Sequence, residues 1–138
     1  MGDPETQPIL LRLNTDLVTL FEATIDGQLG QQQADWDPRA ALGVVMAAGG
    51  YPAAYDKGAI IDGLPRLASD TCKVFHAGTA FDDEAVVTNG GRVLCVVGLG
   101  ESVAAAREVA YAQVGDIDWP KVYYRNDIGY RAIAREQS

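Results

Sequence analysis

The sequence predicts an α+β fold in which an N-terminal helix precedes a small, mostly antiparallel sheet that carries one packed helix. Three observations carry this expectation. Apolar residues recur at steps of three and four from Ile9 onward; short apolar runs separated by Gly and Asp turns fill residues 40–99; and a second helical stripe follows Ser102. With 138 residues, 48% of them hydrophobic, one domain can bury a core without disulfides or a structural metal.

Taken in order, Ile9, Leu10, Leu13, Leu17, Leu20, Phe21 and Ile25 form one face of an amphipathic helix ending near Gly27. Asn14 or Thr15 can cap a second segment after a short break. Residues 28–37 are polar, with three consecutive glutamines and then Asp37-Pro38, and read as a linker containing a boundary. Residues 40–48, centred on Val44, Val45 and Met46, read as a buried strand stopped by Gly49-Gly50-Tyr51-Pro52. After a long loop, residues 73–76, 86–88 and 92–99 read as strands, the first two joined across Asp82-Asp83 and the last entered through Gly90-Gly91. Ser102 caps a helix running to about Val114, with Val103, Ala106, Ala110 and Val114 on the face toward the sheet. Trp119-Pro120 closes that helix, and residues 121–135 show no clear period.

Nineteen acidic against eleven basic residues give a net charge of -8, which repels a phosphate backbone, so no nucleic-acid partner is expected. A single small anion is not excluded, because a few convergent donors suffice to hold one. Cys72 and Cys95 lack CxxC spacing and His76 is the only histidine, so no metal site is expected and both cysteines read as buried thiols. There is no apolar run of membrane-span length and no signal-like start. A cytoplasmic protein without a membrane partner is expected.

Two segments have the chemistry of a ligand site. Gly2-Asp3-Pro4-Glu5-Thr6-Gln7 precedes a helix, where free backbone N–H groups favour an anion, although an acidic cap on a turn explains the same residues. Thr88-Asn89-Gly90-Gly91-Arg92 combines two glycines that admit close approach of a ligand, polar side chains and a guanidinium fork suited to phosphate. An ordinary Asn-Gly hairpin with a solvated arginine explains it equally. His76 can donate to a phosphate or a sugar hydroxyl, or be a satisfied strand histidine. Arg125-Asn126-Asp127-Ile128-Gly129-Tyr130-Arg131 reads as an ion pair tying the tail to the domain.

In this order, the segments resemble the glycinamide ribonucleotide synthetases of the ATP-grasp superfamily. The resemblance rests on Gly2 to Gln7, Trp36-Asp37-Pro38-Arg39, Ala47-Ala48-Gly49-Gly50-Tyr51-Pro52, Lys73-Val74-Phe75-His76-Ala77-Gly78-Thr79, the run from Val86 to Leu94 and the run from Arg125 to Ile133. The Arg-Phe pair that precedes the first of these blocks in the family is absent, and Met1 stands there. The resemblance implies a ligase that uses Mg2+ and ATP to phosphorylate the glycine carboxylate, whose acyl phosphate is then attacked by the amine of 5-phosphoribosylamine. The family's glycine-rich loop and magnesium-holding Glu-x-Asn pair lie upstream of the first block.

Residues 1–30 are accordingly expected to be a helix left over from an ATP-grasp domain, and residues 31–138 a barrel-sandwich-like C-terminal domain. The missing N-terminal and ATP-grasp domains are then its natural packing partner. The chain alone is expected to be inactive and to bind neither ATP nor Mg2+. By analogy with related enzymes acting on ribosylamine phosphates, Asn89, Gly90, Gly91 and Arg92 are expected to bind the substrate phosphate, with Asp3, Glu5, Thr6 and His76 as further substrate-binding residues. No catalytic residue is singled out. The alternative is a stand-alone module that binds a phosphorylated ribose or docks onto a separate nucleotide-binding subunit.

Overall fold

A computed structural model describes residues 2–67 and 69–137 of the chain. Its centre is a three-stranded antiparallel sheet of β1 (Ala40–Ala47), β5 (Arg92–Gly100) and β2 (Cys72–His76), with β5 in the middle. β5 is buried from Val93 to Leu99, as a central strand covered on both faces must be. On β1 the side chains alternate: Leu42, Val44 and Met46 join the main core, while Gly43, Val45 and Ala47 point to the other face.

Helix α3 (Val103–Asp116) covers the first face. Ser102 caps it, accepting from the Ala105 backbone N–H at 3.1 Å. Ala106, Ala110 and Val114 are buried against the sheet, and the helix comes close because β5 has no side chain where it passes. A Cβ on Gly98 would lie 2.4 Å from the Ala106 carbonyl oxygen, and one on Gly100 2.5 Å from the Ala106 nitrogen. Gly98→Ala should therefore force α3 outward and destabilise the chain by about 3 kcal/mol, the upper end of what overpacking costs. A chemical-denaturation midpoint unchanged from wild type would contradict this packing.

The second face is covered only in part. The expected helix from Ile9 to Ile25 is in fact two: α1 (Thr6–Leu11) and α2 (Leu17–Ile25). They are separated because Leu13 makes a bridge to Trp36, Asn14 N–H donates to the Asp35 carbonyl at 2.9 Å, and Asp16 caps α2 through the Val18 N–H at 2.8 Å. Tertiary pairing with the linker thus overrides the helical period. Arg12 donates twice to the Asp37 carbonyl, at 3.1 and 3.0 Å. Arg39 forms a fork with the Asp37 carboxylate that holds its pKa down at about 2. Helix α1 packs on β1 and β5, with Pro8 against Gly43. Helix α2 does not: Val18, Phe21 and Ile25 are 59, 54 and 83% exposed.

The remaining strands form a separate hairpin, β3 (Thr79–Asp82) with β4 (Ala85–Thr88), turned at Asp83 with φ 51°. Strand β2 thus pairs with β5 and not with β4, contrary to the expectation that residues 73–76 and 86–88 are joined across Asp82-Asp83. The barrel-like architecture is also wrong. Closure requires every strand to be paired on both sides, whereas among the described residues five short strands divide into sheets of three and two with open edges. The fold is α+β, with no closed or curled sheet among the described residues. A further helix, α4 (Tyr130–Glu136), lies in the tail where no period was visible, and among the described residues no helix is long and apolar enough to cross a membrane.

Candidate functional site

The turn between β4 and β5 sits where the two sheets meet, and glycines let it do so. A Cβ on Gly78 would lie 2.9 Å from Gly90 Cα and 2.5 Å from the Arg92 carbonyl oxygen, so the 78 and 90 backbones touch directly. Gly91 is buried beneath an aromatic ring: a Cβ there would meet Tyr51 Cδ2 at 2.2 Å. That ring is set by the turn after β1, in which Tyr51 N–H donates to the Ala48 carbonyl at 3.1 Å, while Ala48 N–H donates to the Gly91 carbonyl at 2.8 Å.

Around this turn lies a cavity of about 430 Å³ lined by Asp3, Tyr51, Ala77, Gly78, Thr79 and residues 89–92. Five of the eight residues singled out from the sequence, Asp3, Asn89, Gly90, Gly91 and Arg92, thus share one cavity, although Asp3 comes from the far N-terminus. Arg92 Nη2 is 2.9 Å from Asp3 Oδ2, with both side chains partly exposed. Among the described residues, the backbone N–H groups of Gly90 and Gly91 have no hydrogen-bond partner. Unpaired N–H groups beside a guanidinium are an arrangement that accepts an anion.

The other three residues lie outside the lining. His76 ends β2, exposed, with Nδ1 3.0 Å from the Thr79 Oγ1 that does line the cavity. Thr6 hydrogen-bonds the Gly2 carbonyl through both its N–H and its hydroxyl. The Glu5 carboxylate lies beside Gly2, where a Cβ would be 2.6 Å from Oε2. Thr88, offered by the sequence as a donor, is 1% exposed; its Oγ1 accepts from the Ala59 N–H at 3.1 Å, so it holds the long loop and not a ligand. Tyr51, Gly78 and Thr79 were not singled out as site residues, because nothing local in the sequence shows that they fold onto a turn ten to forty residues away.

A second cavity adjoins the first, and a third adjoins the second through Arg125 and Ile128. The second, of about 300 Å³, is lined by Pro4, Gly43, Val45, Ala47, Tyr51, Arg92, three residues from 123 to 125, and Ile128, and shares Tyr51 and Arg92 with the site. The third, of about 410 Å³, is formed by the tail from Arg125 to Arg135. There Arg125 forks onto Asp127 at 2.8 and 2.7 Å, and Arg107 donates to the Asn126 carbonyl at 2.7 Å, which ties the tail to α3. Both cysteines are free. Burial, with some help from the Asp3 carboxylate, pushes the Cys95 thiol up to about 11, and burial alone raises Cys72, so neither is poised as a nucleophile.

The family model described as "Phosphoribosylglycinamide synthetase, C domain" matches residues 41–131, which hold both sheets, α3 and the glycine turn. The chain belongs to this synthetase family. It is 58% identical over 136 residues to a phosphoribosylamine-glycine ligase of Vibrio parahaemolyticus, and 57% identical over 138 residues to one of Escherichia coli O157:H7. Each alignment covers 99% of this chain and 32% of the relative. The crystal structure of a phosphoribosylamine-glycine ligase from Thermotoga maritima superposes with a TM-score of 0.74 at 38% identity, covering 92% of this chain and 31% of that one. The chain therefore spans about a third of the length of these synthetases. Asp3 and its neighbours lie before the matched residues, and the turn of Asn89 to Arg92 lies within them.

Proposed function

We propose that the chain supplies the wall that holds the phosphate of 5-phosphoribosylamine in a cytoplasmic phosphoribosylamine-glycine ligase. The whole reaction joins glycine to that amine, with ATP converted to ADP and phosphate. The observation that carries this is the cavity lined by Arg92, Gly90 and Gly91, the two glycines having no hydrogen-bond partner for their N–H groups among the described residues. A phosphate monoester offers three acceptor oxygens, which a guanidinium and two amides match. Asp3, ion-paired with Arg92, accepts from sugar hydroxyls, Asn89 donates to the ligand, and His76, hydrogen-bonded to Thr79, stands beside the cavity. Glu5 and Thr6 shape the N-terminal segment that presents Asp3.

Such a wall positions the amine; it does not activate a carboxylate. Forming an acyl phosphate requires a triphosphate neutralised and held in line with the attacking oxygen. Among the described residues no group of three or more His, Cys, Asp or Glu is placed to hold a metal ion. Nucleotide and metal binding fall to the two thirds of the relatives that this chain does not span. The exposed apolar side chains of α2, Val18, Phe21 and Ile25, are the surface on which that remainder packs.

The test is direct. Incubated alone with ATP, magnesium, glycine and fresh phosphoribosylamine, the purified chain should form no ADP above a blank. Glycine-dependent ADP formation that copurifies with the chain would overturn the division of labour.

A further inference from the structure

We infer that the cavity beside the glycine turn takes a planar aromatic ring, so that one ligand, a nucleoside 5′-monophosphate, spans both cavities with its phosphate on the turn and its base against Tyr123. This rests on the phosphate reading of the turn and extends it to a second, adjoining subsite. In a complete ligase such a ligand competes with phosphoribosylamine.

The geometry comes from one row across three neighbouring chain segments. Arg92 on β5 is paired with Ala47 on β1, just past a register shift between Met46 and Ala47, and Ala47 is paired on its other side with Tyr123, by N–H to carbonyl bonds of 2.8 and 2.9 Å. Directly paired residues point to the same face of a sheet, and adjacent segments are ~4.8 Å apart. Arg92 and Tyr123 therefore stand about 10 Å apart in one row with Ala47 between them, and all three line the same cavity. That gap suits a ribose, which separates the phosphate of a nucleotide from its base.

The chemistry of the lining agrees. The cavity of about 300 Å³ has an apolar floor of Gly43, Val45 and Ala47 and is flanked by Tyr51 and Tyr123; Tyr124 lines it too, but its ring packs toward Tyr111 of α3, 6.5 Å between centroids. Its charged residues are Arg92 and Arg125, and the Arg125 guanidinium is already engaged by Asp127. The anion-binding end is thus Arg92, where the phosphate has to share the guanidinium with Asp3. Tyr123 is 59% exposed, so its ring is free for a base to stack on, which adds to the burial any apolar group would gain there.

The test is calorimetric titration of this chain with ribose 5-phosphate and with adenosine 5′-monophosphate, on wild type, Tyr123→Ala and Arg92→Ala. The nucleotide should bind at least about tenfold more tightly than the sugar phosphate, the scale of one base stacked on one aromatic ring. Tyr123→Ala, which leaves the backbone bridge to Ala47 intact, should abolish that advantage without changing ribose 5-phosphate binding. Arg92→Ala should weaken both ligands. Equal affinities for the two ligands, with ribose 5-phosphate still dependent on Arg92, would overturn the base subsite and leave the phosphate reading standing. A nucleotide advantage that survives Tyr123→Ala would also overturn it. Absence of binding by either ligand would sink both.

Discussion

Arg92→Ala in a complete ligase of this family is expected to raise the KM for phosphoribosylamine about 30-fold while leaving that for ATP nearly unchanged. Truncating one partner of a charged contact costs about 2 to 5 kcal/mol when the contact is desolvated, and tenfold corresponds to about 1.4 kcal/mol. Arg92 is partly exposed, so water can replace some of what is lost and the lower end applies. Arg92→Lys keeps the charge but not the planar fork, and should fall between the two. The selectivity is the informative part. A variant that merely loosened the domain would raise both constants or lower kcat, whereas loss of a phosphate contact moves one KM alone. Steady-state kinetics with each substrate varied in turn would show it, and equal KM values for phosphoribosylamine in wild type and variant would return the turn to an ordinary hairpin.

Gly63→Ala should be the most damaging single methyl in the chain. Gly63 has φ +75°, and a Cβ there would lie 1.7 Å from the Asp116 carbonyl oxygen and 2.7 Å from its carbon. Both obstacles are backbone, so no side chain can swing aside. The left-handed conformation alone costs an L-residue roughly 1–2 kcal/mol, and overpacking adds about 1–3 kcal/mol. Their sum of about 4 kcal/mol is a large share of the roughly 5–15 kcal/mol that holds a domain together. The neighbouring Asp62–Asp118 bridge, with bonds of 2.9 and 3.1 Å, fastens the long loop to the end of α3 and would open first. A denaturant midpoint within error of wild type would show that the loop yields without cost.

The parts of this fold that were legible in the sequence are those whose signal is local. β1, β5 and α3 each carry their own apolar period, and Ser102 announces its cap. The break that the sequence allowed in the helix from Ile9 is there, because the pairing of Leu13 with Trp36 and of Asn14 with Asp35 competes with helix continuation and both partners lie more than twenty residues on; the cap of the second segment is Asp16, not Asn14 or Thr15. β3 was hidden because Phe81, its largest apolar residue, is 81% exposed and supplies no buried stripe. α4 follows Gly129, whose left-handed φ of 84° provides no side-chain cap; that glycine is needed because a Cβ would strike Leu42 at 2.5 Å. The barrel came from resemblance alone, and strand pairing did not support it.

The candidate site divides in the same way. Asn89, Gly90, Gly91 and Arg92 were visible because they are contiguous and chemically distinctive. That Asp3 meets Arg92, and that Tyr51 lies on Gly91, follows from the packing of the N-terminal segment and of the turn after β1 onto β5. No spacing in the chain encodes either contact.

The measurement that bears most directly on the site is a titration of the isotopically labelled chain with ribose 5-phosphate, followed through the backbone amide resonances of Gly90 and Gly91. Saturable shifts of both amides, lost in Arg92→Ala while the rest of the spectrum stays folded, are the predicted result. A folded chain whose Gly90 and Gly91 amides do not respond to the ligand, or respond identically without Arg92, would contradict the assignment of this turn to the substrate phosphate.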